Sequence, residues 1–275
     1  RKTKALWNQF SDMGRTVGFL GWFASWPAES VNGFMVTERA PFAVSHAVYP
    51  EVLGRDRQRH LAGENDLMAD DSPFAEKVRR LRRMLRDQSY PAQNAVDEEE
   101  FRSMVQRAEE VYFTDAFYQN FAMDLYQRYS PSLFGLYFHG TDGISHAFYK
   151  FRFPEQNFEI TPEQVKAVGD VIAAVYQHHD RTLGRLMDLA GPGVSWIVLS
   201  DHGFQRQFPN DEVDLDRPLL YDMDSILESL GLLVYDSNNQ IDWSRTTCFT
   251  SVQTEWNPRT FIRLNVAGRQ PEGMI

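Results

Sequence analysis

Cysteine is almost missing from this sequence: Cys248 is the only one in 275 residues. No intrachain disulfide can form, and cysteine-rich zinc modules are excluded. Positive charge is in deficit too, with 28 Lys and Arg against 38 Asp and Glu and a formal net charge of −10. A protein that grips nucleic acid displays a basic surface. Here the basic cluster around Lys77–Arg86 is flanked by acidic residues, so no stable nucleic-acid partner is expected. A small phosphate ester stays open as a partner, because a local metal charge outweighs a distant net charge. No uninterrupted apolar run is long enough to span a bilayer. No signal-peptide pattern, internal repeat or low-complexity tract is present in these residues.

What is present is an ordinary globular composition, 43% hydrophobic and 24% charged, with 20 Phe and 6 Trp. That supports one large core or two modest ones, rich in rings.

Ala5, Leu6, Phe10 and Met13 lie close to helical spacing, and Gly14 is a plausible stop. The run TVGFLGW (Thr16–Trp22) then reads as a buried parallel strand. A βαβ unit begins with a strand, so the opening helix predicts a strand ahead of residue 1 and an incomplete α/β domain. Residues 24–50 carry turn residues and aromatics with no steady period, which suits a loop crossing the mouth of a site or plain irregular structure. Residues 51–130 are charged and helical in pattern. Phe74–Arg86 and Glu98–Tyr129, the latter broken somewhere inside, read as helices. LFGLYF (Leu133–Phe138) is a predicted strand, GTDG (Gly140–Gly143) a turn, and Ser145–Phe151 the start of a short helix. Thr161 and Pro162 open a helix as N-cap and first residue, expected to run to about Leu189. SWIVL (Ser195–Leu199) is a second predicted buried strand. This β-turn-α-β order predicts a parallel sheet with helices on its faces. Further on, Asp222–Leu230 reads as a helix and FIRLNV (Phe261–Val266) as a strand.

Two motifs carry chemistry. DGISH (Asp142–His146) and SDHGF (Ser200–Phe204) each follow a predicted strand, and ligands of open α/β sheets bind outside the carboxyl ends of strands. Carboxylate oxygen and imidazole nitrogen suit zinc, manganese and related divalent ions. Asp142 and His146, four apart, share one face of a helical turn. Asp201 and His202 are neighbours that converge if the chain bends there. Spacing alone is not decisive, since Asp56 and His60 repeat it in the charged segment GRDRQRH, read here as surface.

The segments VLSDHGF (Val198–Phe204) and LYFHGTDGISHAFYKF (Leu136–Phe151) resemble the Asp-His-Gly and Asp-x-x-x-His signatures of the alkaline phosphatase superfamily. YQHHDRTLGRLMDL (Tyr176–Leu189) resembles the helix that joins them. GWFASWPAESVNGFMVTER (Gly21–Arg39), IDWSRTTCF and IRLNVAGRQPEGMI resemble its type I phosphodiesterase/nucleotide pyrophosphatase-like branch. The resemblance implies a three-layer α/β/α sandwich with a mostly parallel sheet, incomplete at both ends of this chain. On that reading residues 1–50 are part of the α/β core, and 51–130 a helical cap-like segment with a core-covering helix. Residues 131–205 are core with the ligand motifs, and 206–275 an insertion or peripheral subdomain. It implies a metal-dependent phosphoester hydrolase with two divalent ions, zinc or else manganese, and a small phosphate-ester substrate. Asp142 and His146 are implied for one ion, Asp201 and His202 for the other. The family's further Asp ligand and Thr or Ser nucleophile are expected upstream, and a further His downstream. None of these three is placed here, so catalysis by these 275 residues alone is not expected. Alternatives are a phosphomutase of the same superfamily, a sulfatase, or a non-catalytic binding member.

Other residues have plainer readings. His139 lines the site or is a satisfied loop histidine. His178 and His179 lie in the long helix, one of them expected to face solvent, and neither is a proposed ligand. Asp180 hydrogen-bonds a metal-ligating histidine or, as the plainer expectation, pairs with Arg181 or Arg185. Trp22, Trp26 and Phe34 wall a pocket or, more commonly, fill a core. Thr141 neighbours a ligand, but the resemblance puts the nucleophile elsewhere. The basic run Arg79–Arg83 reads as a solvated helix face.

Overall fold

Strand β1 (Val17–Leu20) is the apolar run after the first helix, and it lies inside a four-stranded sheet of order β3-β2-β1-β4. A computed structural model of the protein describes all residues except 1–2, 43, 63–69, 92–95, 157–159, 205–221, 251–260 and 270–271. β1 runs parallel to β2 (Gly33–Val36) and to β4 (Leu133–Leu136), while β3 (Val48–Tyr49) pairs antiparallel with β2. The fold is mixed α/β, a mostly parallel sheet flanked by helices.

The alternation of a strand decides what each face buries. Val17 and Phe19 of β1 point to one side, where they pack with Met35, Val31 and Trp7 of α1 (Leu6–Asp12). Leu20 points to the other side and joins Phe34, Val36 and the residues Phe117, Phe121 and Leu125. Gly18 makes this face possible, because a Cβ there would strike the Phe34 ring.

Phe117, Phe121 and Leu125 belong to α4 (Glu98–Tyr129), a single helix of 32 residues opened by the Asp97 cap on the Glu100 amide. Its N-terminal half buries Phe101, Met104, Val105 and Ala108 in a second core. That core also holds Phe74, Val78 and Leu81 of α3 (Pro73–Arg86), Ile144 and Phe148 of α5 (Gly140–Arg152), and Val171 and Val175 of α7 (Val171–Ala190). Between α5 and α7 lies the short α6 (Pro162–Val168), opened by a full capping box between Thr161 and Gln164.

The structure corrects the sequence reading at several points. Residues 24–50 contain β2 and β3, where the sequence reading gave no strand. α4 is unbroken. α5 starts earlier than expected, taking in the GTDG turn. The helix expected from Pro162 to about Leu189 is interrupted after Val168, where Gly169 fits between the Val165 and Phe151 carbonyls. Ser195–Leu199 forms no strand, and Ile197 is 82% exposed. Its sequence suits a strand, but it pairs with no strand among the described residues, and β4 is the outer strand of the sheet.

The chain divides into two units, Arg1–Arg206 and Gln207–Ile275. In the second, α2 of the first unit having its place at Gly54–Ala62, the remaining elements are α8 (Met223–Ser229), β5 (Cys248–Thr250) and β6 (Ile262–Leu264). β5 and β6 pair antiparallel, and Leu227, Leu233 and Cys248 form a small core. Both the helix and the strand expected here from sequence are present.

Candidate functional site

The parallel strands β1 and β4 end side by side, with the Tyr137 amide donating to the Leu20 carbonyl at 3.0 Å. Beyond them the chains turn apart. Gly21 takes φ +69°, and a Cβ there would lie 2.5 Å from the Tyr137 backbone carbonyl oxygen. Trp22, Tyr137 and His139 form a row of rings at this end, with centroids 6.2 and 6.5 Å apart.

α5 starts directly after His139. Its two glycines let it sit down hard on α4: a Cβ at Gly140 would strike the Asp115 carboxylate, and one at Gly143 would lie 3.0 Å from Val111. Asp142 therefore stands in the first turn, where a helix N-terminus favours a carboxylate. Its Oδ1 is 3.5 Å from His146 Nε2, and its Oδ2 is 3.5 Å from His139 Nε2. The His146 side chain is 71% exposed and that of Asp142 24%, so a ligand can reach both.

Ser200–Phe204 bends back on itself. The Ser200 hydroxyl donates to the His202 carbonyl at 2.6 Å, and His202 Nδ1 lies 2.9 Å from the Gly203 carbonyl. A carbonyl only accepts, so Nδ1 carries the hydrogen and a neutral ring keeps its lone pair on Nε2. That Nε2 is 3.7 Å from Asp201 Oδ2.

The two motifs meet through Phe204. Its ring meets His146 in a T-shaped contact at 4.8 Å and lies tilted against Tyr149 at 5.3 Å. Tyr137 reports the same convergence. Partial burial pushes its hydroxyl pKa above the usual 10.0, and the negative charges of Asp201 and Asp142 push it further the same way.

The donor chemistry, one carboxylate and one imidazole in each motif, suits divalent ions. Asp142 makes its ion pairs with histidines. The equally spaced Asp56 and His60 are different. Asp56 is held by Arg59 and Arg128, and His60 pairs with Asp124 at 3.2 Å while stacking on Phe121. That pair is part-buried, not the surface pair expected from sequence, and its donors are committed. Among the described residues no group of three or more His, Cys, Asp or Glu is arranged to hold a metal ion. Each motif thus supplies two donors toward a shell that commonly takes four.

Several other expectations are corrected. Neither His178 nor His179 faces solvent. His178 is 2% exposed, and His179 stacks flat on Phe138 at 4.5 Å. His179 Nε2 donates to Asp115, a fully buried residue that no motif singled out. Only its place among apolar α4 positions could have drawn attention to it. Arg181 pairs with Asp71, not Asp180. Phe34 is core, Trp22 edges the core beside Phe19, and Trp26 donates Nε1–H to the Ser45 carbonyl at 2.9 Å.

No helix of the described residues is long and apolar enough to cross a membrane. Compared with protein families, residues 3–261 match the model described as type I phosphodiesterase / nucleotide pyrophosphatase. No curated protein and no solved structure matches the chain.

Proposed function

Since the chain belongs to the type I phosphodiesterase/nucleotide pyrophosphatase family, within the alkaline phosphatase superfamily, and membership implies a phosphoester hydrolase, we propose that it hydrolyses small phosphate esters with two divalent ions. Asp142 and His146 hold one ion, and Asp201 and His202 the other. Zinc is the first choice and manganese the second. The attacking Thr or Ser hydroxyl is assigned to no residue of this chain.

The observation that carries the reading is the contact of Phe204 with His146, which joins the two motifs at one end of the sheet. The family typically uses divalent metals. When bound, such ions offset charge on the attacking and leaving oxygens of an in-line displacement. The chain's own residues do the rest. Asp142 is set by the first turn of α5, and the His202 tautomer is set by Gly203. The Tyr137 hydroxyl keeps its proton at neutral pH and is a donor for a substrate oxygen. Trp22, Tyr137 and His139 give a row of rings against which the organic part of an ester can lie.

The test uses the intact protein. Metal content is measured by plasma mass spectrometry. Turnover is measured on a phosphodiester, a phosphomonoester, a sulfate ester and a sugar phosphate. Hydrolysis of the phosphate esters that a chelator abolishes is expected. Asp201→Ala should lose one equivalent of metal and fall to background turnover. Unchanged metal content in that variant would defeat the assignment.

A further inference from the structure

We propose that Asp115 and His179 are positioning residues for Asp142, a buried carboxylate–imidazole pair that clamps the β4–α5 loop from beneath. The inference rests on the reading of Asp142 as a metal ligand. Asp115 is 1% exposed on α4, and its Oδ2 accepts the His179 Nε2–H at 2.7 Å. Burying a carboxylate is costly unless it is well paired. Here the other oxygen, Oδ1, is buried without a hydrogen-bond partner among the described residues. A core serving packing alone would fill this position with an apolar side chain.

What the pair touches explains its presence. The Asp115 carboxylate lies against Gly140, so closely that no Cβ fits there. It sits at the first turn of α5, whose dipole favours a negative charge. The His179 ring lies parallel to Phe138, with planes 9° apart. Phe138 and Gly140 bracket His139, and Asp142 follows two residues later. The pair therefore grips the loop from the α4 and α7 sides at once and fixes where the Asp142 carboxylate points. A ligand's supporting residues commonly govern metal affinity as strongly as this.

The test titrates the intact protein with manganese alone, read by electron paramagnetic resonance. The wild type should bind two ions. Asp115→Asn should weaken one of them by about 10- to 100-fold and leave the other unchanged, and excess manganese should restore turnover. His179→Gln, which keeps an N–H donor, should retain more affinity than His179→Phe, which keeps only the stack. In the metal-free protein, amide exchange at residues 139–144 should quicken in Asp115→Asn while α4 stays protected. Should that variant not fold, Gly140→Ala forces the loop off the carboxylate and should give the same selective loss. Two sites of wild-type affinity in the folded variants, or equal weakening of both, would overturn the clamp alone. A wild type that binds no manganese would remove the metal reading and the clamp with it.

Discussion

The rings of Phe204 and His146 meet in a T-shaped contact, with centroids 4.8 Å apart and planes at 83°. One side chain thus ties the loop bearing Asp201 and His202 to the helix bearing Asp142. Phe204→Ala should let that loop drift. Misplacement of reacting groups by about 1 Å can cost ~100-fold in rate, so kcat/KM of the intact enzyme should fall between about 10- and 100-fold. Stability should fall by about 1–2 kcal/mol, because the ring is largely but not fully buried. Steady-state kinetics alongside thermal melts separates the two effects, and unaltered kinetics would refute the tie.

The sheet offers a second test. Phe34 is fully buried and its ring occupies the space over Gly18. Phe34→Ala should cost about 3–5 kcal/mol through lost burial and a residual cavity. Gly18→Ala overpacks the same contact and should cost roughly 1–3 kcal/mol. Urea unfolding of both measures this, and a neutral Gly18→Ala would show that the ring has room to move.

Helix α6 supplies a smaller and cleaner effect. The Thr161 hydroxyl accepts from the Gln164 amide at 3.3 Å, while the Gln164 side chain accepts from the Thr161 amide at 2.8 Å. Thr161→Ala should destabilise by ~1 kcal/mol and Thr161→Ser by much less. Equal losses in the two would mean that the hydroxyl contributes nothing.

Acid should weaken the protein through His178. Burial pushes this imidazole below its ordinary 6.5, although Asp115 and Asp70 pull it upward; the nearby His179 and Arg181 act with the burial. The unfolded chain therefore takes up the proton first as pH falls past 6.5. Stability is full above that value and declines as pH drops toward the folded-state pKa. Unfolding midpoints at about pH 7.5 and about pH 5.5 should differ, and His178→Gln should narrow the difference. An unchanged slope in that variant would assign the acid sensitivity to other groups.

Sequence alone carried the central part of the fold. β1 and β4 announce themselves as apolar runs, and Thr161 marks a helix start with a cap that the structure contains. β2 escaped because its apolar stretch is only Phe34–Val36, set between Asn32-Gly33 and Thr37-Glu38, and β3 because two residues leave no period. Ser195–Leu199 misled for the opposite reason: its side chains favour a strand, but pairing depends on a neighbour, which propensity does not encode. At the site, the Asp and His motifs were legible as spacing. The Asp115–His179 pair was not, because its partners lie 64 residues apart and meet only through helix packing.

Helix α4 gives the first unit a shared spine. At roughly 48 Å, it lends Phe101–Tyr112 to the helical core and Phe117–Leu125 to the sheet core. Loss of either core strips one half of that rod of its packing and weakens the helix the other core shares. Heating should register as one concerted collapse of that unit, in which the sheet and the helices packed around the N-terminal half of α4 are lost together.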